Sequence, residues 1–157
     1  MSLKRIYALK SLLITGAASL LLTGCAGAPL GLDMGQKPMA GVWKGDFICP
    51  QLQMSKQSIT ITLQDGNLPG AVNGVVENHL IYAGQPQYLK YTVVGSNIGG
   101  HVVLKPKQLI QRSREDFMMG PIEGNMADAN TLQAVSCKRQ NQFPIKRVSS
   151  AEQSALR

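Results

Sequence analysis

The chain has 157 residues, with 16 lysines and arginines against 9 aspartates and glutamates, a net charge of +7 and three cysteines. It is too short for two ordinary domains, too apolar at 44% for a disordered chain, and too poor in cysteine for a disulfide-dense knot. The charge is uneven: Lys4, Arg5 and Lys10 stand in the first ten residues, and no charged residue follows from Ser11 to Leu32. With those three basic residues set aside, 13 basic residues face 9 acidic ones, or +4.

Residues 1–25 have three parts. A basic head is followed by the apolar run Leu12-Leu13-Ile14-Thr15-Gly16-Ala17-Ala18-Ser19-Leu20-Leu21-Leu22, and then by the small pair Thr23-Gly24 before Cys25. A basic head stays on the cytoplasmic side while a short apolar run enters the bilayer as a helix. Spanning the hydrocarbon takes about 20 apolar residues, and this run is shorter. The pattern is that of a signal peptide over residues 1–24.

The four residues Leu22-Thr23-Gly24-Cys25 resemble the lipobox of bacterial lipoproteins. The resemblance covers these first 25 residues alone. It implies cleavage between Gly24 and Cys25, a diacylglycerol on the Cys25 thiol and an acyl chain on its amino group. Small side chains let a protease reach the backbone at the membrane surface, and a thiolate is the strongest nucleophile there for receiving lipid. Two or more acyl chains anchor stably, at about 0.8 kcal/mol per buried methylene. Ala26 stands where aspartate in this class signals inner-membrane retention, which implies an outer-membrane lipoprotein facing the periplasm or exposed at the surface.

Residues 25–40 would be the lipidated N-terminus and a flexible tether, since AGAPLGLDMGQKPMA is small, rich in Gly and Pro, and aperiodic. The β domain is expected over 41–148. Trp43, Phe47 and Cys49 share one face of a period-two pattern over 42–49, with Lys44 and Asp46 on the other. Ile59, Ile61 and Leu63 alternate with Thr60 and Thr62, and Asp65-Gly66-Asn67 follows as a turn. Further short strands are expected at 71–76, 79–83, 88–94, 101–104, 107–111 and 131–138. Turns are expected at Ala83-Gly84-Gln85-Pro86, Gly95-Ser96-Asn97, Gly99-Gly100 and Gly120-Pro121. No helical periodicity runs through this region, so the fold class is mainly β: a small antiparallel barrel or sandwich. Residues 149–157 read as a tail or a short helix.

With Cys25 lipidated, Cys49 and Cys137 remain. An even pair in an oxidising compartment points to a disulfide, which would join the first and last expected strands. Two buried free thiols or a redox pair are the alternatives, and no CxxC favours the latter.

The search for chemistry assembles no catalytic group. His79 and His101 are the only histidines, GxSxG is absent, and no cysteine is spare for a Cys–His pair. Metal sites need several ligands at defined spacing, and the scattered carboxylates Glu115, Asp116, Glu123 and Asp128 do not define one or a glycosidase pair. The basic residues Lys105, Lys107, Arg112 and Arg114, with Lys138, Arg139, Lys146 and Arg147, would form a positive face if their strands were neighbours. Tyr82, Tyr88 and Tyr91 offer aromatic surface, and Phe117-Met118-Met119 a small apolar cluster.

The expectation is a non-enzymatic, lipid-tethered β domain with no cofactor. It would be a binding, structural or assembly-accessory component of the envelope. Its partners would be the membrane through the anchor, and envelope or secretion-system proteins, anionic lipid or lipopolysaccharide, rather than nucleic acid. An inhibitor or small-ligand carrier is the alternative, and a glycan hydrolase the weakest reading.

Overall fold

The computed structural model describes residues 38–49, 54–136, 141–149 and 152; Cys25, Cys137, Lys138 and Arg139 lie outside that set. Eight strands follow in chain order: β1 (Gly41–Cys49), β2 (Met54–Asp65), β3 (Ala71–Tyr82), β4 (Gln85–Ile98), β5 (His101–Arg112), β6 (Ile122–Asp128), β7 (Thr131–Ser136) and β8 (Asn141–Arg147). Each pairs antiparallel with the next, and β8 returns to β1 through Trp43 opposite Arg147 and Lys44 opposite Lys146. The result is a closed barrel, which decides between the two all-β arrangements and removes the exposed sheet edges of an open one.

Period-two patterning places the core. Successive side chains point to opposite faces of a strand, so one set of every strand enters the barrel. Ile59, Ile61 and Leu63 of β2 do so, joined by Leu89, Tyr91 and Val93 of β4, and by Val102 and Leu104 of β5. Leu132 and Ala134 of β7 and Phe143 and Ile145 of β8 complete the same cluster around Trp43. Eight strands make an interior just wide enough to be filled by side chains or to hold one small ligand. The interior here is filled by core side chains, among them Trp43, Ile61, Leu104, Leu132 and Ile145, all almost fully buried.

Several strands run longer than their local signals. The expected segments 71–76 and 79–83 merge into one strand that ends at Tyr82, with Ala83 in the turn, because Glu77 and Asn78 continue the ladder: Glu77 faces Lys90 on β4, and the Asn78 side-chain amide donates to the buried Gln57 at 3.1 Å. Residues 101–104 and 107–111 likewise merge as β5. Gly95-Ser96-Asn97 is strand rather than turn. A Cβ on Gly95 would run into the Val103 carbonyl of β5, so glycine serves there for close strand approach. The hairpin bends two residues later, at Gly99 (φ 60) and Gly100 (φ 86).

β6 and β8 were not expected from the sequence. Pro144 sits within β8, where the β1 ladder is confined to Lys146 and Arg147, so the proline forfeits no bond on that side. The β5–β6 ladder covers only His101–Leu104, and from Arg112 the chain crosses the barrel mouth through residues 113–121 before β6 begins. Beyond β8, the Glu152 amide donates to Ser149 Oγ at 3.3 Å.

The packed domain begins before Gly41. Met39, expected in the tether, is 1% exposed and belongs to the core. Its aperiodic, proline-flanked setting hides this, because its burial comes from one side chain folding over the barrel end rather than from a strand.

Candidate functional site

The barrel has two rims. The proximal rim is where the chain arrives at 38–40 and leaves at 147–149; the β2–β3 loop, the β4–β5 turn and the β6–β7 turn share it. The distal rim carries the β3–β4 turn at Ala83-Gly84 and the 113–121 loop.

A clasp closes the proximal rim. The Trp43 indole Nε1 donates to the Met39 carbonyl at 2.9 Å, and the Met39 amide donates to Asp65 Oδ1 at 3.0 Å. The Arg147 guanidinium lies 4.3 Å from the Trp43 ring centroid and donates to the carbonyls of Ala40 and, at 2.6 Å, Pro38. A planar, delocalised cation is suited to this double task of stacking and forked donation. Gly41, with φ 134, leaves room beside it, since a Cβ there would sit 3.1 Å from the guanidinium. Burial under the rim lowers the Arg147 pKa, and the Asp65 carboxylate opposes that shift. Val148 extends the seal by donating its amide to the Val42 carbonyl at 2.7 Å.

Beside the clasp lies a depression of about 330 Å³, lined among others by Pro38, Met39, Asp65, Leu68, Pro69 and Asn97. The β2–β3 loop and the β4–β5 hairpin are tied there by the Asn97 amide and the Gly70 carbonyl at 2.8 Å. Their tips present Leu68 at 72% exposure and Ile98 at 59%.

The distal rim has a different chemistry. Tyr82 and Phe117 meet edge to face at 6.0 Å, closing the mouth over β3. Arg114 stacks on both rings, 5.0 Å from Tyr82 and 5.7 Å from Phe117, and grips Asp116 with two bonds of 2.9 and 2.8 Å. That pairing raises the arginine pKa and holds the Asp116 carboxyl below its usual range. Behind the loop, Tyr91 Oη donates to the Gly120 carbonyl at 2.9 Å. Burial pushes the Tyr91 phenol up to about 12, with that bond acting the other way, so it serves as a donor throughout the ordinary pH range. Met118 stands out at 79% exposure, and Arg112 and Glu115 before it in the chain are exposed as well.

The eight basic residues do not make one face. Lys105, Lys107 and Arg112 lie along exposed positions of β5, with Arg114 just beyond, while Lys146 and Arg147 are on β8, three strands away and at the opposite rim. Arg147 is a clasp residue rather than a surface cation. Lys138 and Arg139 lie outside the described residues, in the connection from β7 to β8. Of the carboxylates, Glu115 and Asp116 are on the distal rim, Glu123 faces Val103 in the wall, and Asp128 is near the proximal rim. The fold therefore keeps Glu123 and Asp128 on β6, away from the adjacent Glu115 and Asp116 of the 113–121 loop. His101 Nδ1 contacts Asn125 Oδ1 at 3.0 Å at the proximal turn, and His79 packs its ring 4.8 Å from Tyr88 on the outer wall. Among the described residues no three His, Cys, Asp or Glu side chains cluster as a metal site would require.

Sequence reading missed the clasp. Its one available signal was the single tryptophan, two residues after a glycine at the start of the first strand; nothing local links it to an arginine at the end of the last. No protein-family model, curated protein or solved structure matches the chain.

Proposed function

We propose that this chain is a bacterial outer-membrane lipoprotein whose barrel works by binding, not by catalysis, and presents its distal rim to an acidic protein of an envelope assembly. One observation carries the orientation. Residues 38–40 are fastened to the proximal rim by Arg147, Trp43 and Asp65. A lipid on Cys25 would therefore hold that rim toward the membrane and turn the other away. The rim turned away combines Arg114 stacked on aromatics, an exposed methionine and the exposed Arg112 at the end of β5, residue types enriched at protein interfaces. A carrier role has weaker support, because core side chains occupy the described interior.

We also propose that Cys49 and Cys137 form a disulfide. Cys49 is buried at the distal end of β1. β8 is the strand next to β1 and pairs Asn141 with Ser136, which precedes Cys137.

The function is tested by placing a photo-crosslinking residue at Met118, or at Asn73 on the outer wall, in living cells. Discrete protein adducts are expected from position 118 and not from 73, and Lys107→Glu with Arg112→Glu should abolish them. Adducts from 73 alone, adducts to lipopolysaccharide alone, or none from either position, overturn the distal-rim assignment.

A further inference from the structure

We infer that the proximal rim rests on the phospholipid bilayer, with Leu68 and Ile98 dipping into its interface; this builds on the lipoprotein reading. These two aliphatic side chains are largely bare of protein contact, and they stand at neighbouring loop tips on the rim that receives residues 38–40. Pro69 extends the same loop, also exposed. The occupant follows from chain length. Only residues 26–37 separate Cys25 from the clasp, and a chain of that length spans at most about 40 Å even when fully extended. Held that close, the rim meets the membrane at an effective concentration in the millimolar range, so contacts too weak to bind alone become occupied.

The charge around this rim does not oppose contact. Asp65 is engaged by the Met39 amide, and Asp128 stands with Lys146 and Arg147 at the same end of the barrel. With cations and acids both present, the contact is apolar in origin and should persist at high salt. Met118, equally bare but on the far rim, is the built-in control.

The test uses the full acylated protein in vesicles of phosphatidylethanolamine and phosphatidylglycerol, with brominated acyl chains as contact quenchers. Leu68→Trp, Ile98→Trp and Met118→Trp each add one reporter to the constant signal of buried Trp43. The expected result is loss of most of the added emission at positions 68 and 98, unchanged by high salt, and none at 118. If the protein floats with the vesicles and positions 68 and 98 stay bright, docking is overturned while the anchor stands. Quenching at all three positions also overturns it. If the purified protein carries no acyl chain and fails to float, the anchor reading falls, and docking with it.

Discussion

Replacing Trp43 with alanine is expected to destabilise the barrel by about 3–5 kcal/mol, the range for deleting a buried large aromatic. The residue is 1% exposed at the centre of the core, and its loss also strands two partners. The Met39 carbonyl loses its indole donor, and Arg147 loses the ring beneath its guanidinium. A domain of this size has a total stability of about 5–15 kcal/mol, so the variant should be marginal or unfolded. Trp43→Phe retains a ring but no donor, and should cost about 1–2 kcal/mol beyond the lost volume. Arg147→Lys keeps the charge, but a point ammonium cannot stack and fork to the Ala40 and Pro38 carbonyls together. Urea denaturation followed by circular dichroism checks all three. A Trp43→Ala midpoint close to the parent's would show that the clasp does not close the barrel.

Removing the proposed Cys49–Cys137 bridge should cost about 4–5 kcal/mol, because a bridge enclosing residues 50–136 closes a long loop and so restricts the unfolded chain strongly. β1 and β8 are held together by backbone pairing only near Trp43 and Lys44, and Phe47 stacks on Phe143 at 4.4 Å further along. A covalent tie at the distal end would reinforce the part of the seam where that ladder has stopped. Cys49→Ala with Cys137→Ala should unfold at lower urea, reductant should bring the parent down to the same midpoint, and reductant should leave the variant unmoved. A parent indifferent to reductant, with both thiols open to alkylation in the native state, would contradict the bridge.

Much of the β architecture was legible where period-two alternation was clean, as in Ile59, Ile61 and Leu63. Barrel closure was not. It depends on Trp43 and Lys44 finding Arg147 and Lys146, a pairing between chain ends that no local pattern encodes. Gly95-Ser96-Asn97 carries turn chemistry, yet its glycine answers a steric demand from Val103 on the next strand. β6 and β8 were hidden by Gly124 and Pro144, residues that normally weaken a strand and here sit where neighbours approach or pairing stops. The basic clusters were visible as runs. The separation of the described ones onto β5 and β8, three strands apart, follows from strand order, which only the fold supplies.

The most direct measurement is the intact and N-terminal peptide mass of the protein extracted from native membranes without reductant. The expected species begins at Cys25, carries a diacylglycerol and an amide-linked acyl chain, and has no alkylatable thiol at Cys49 or Cys137. A chain recovered with residues 1–24 attached, or cut elsewhere and bearing no lipid, would contradict the anchored orientation on which the distal binding rim depends.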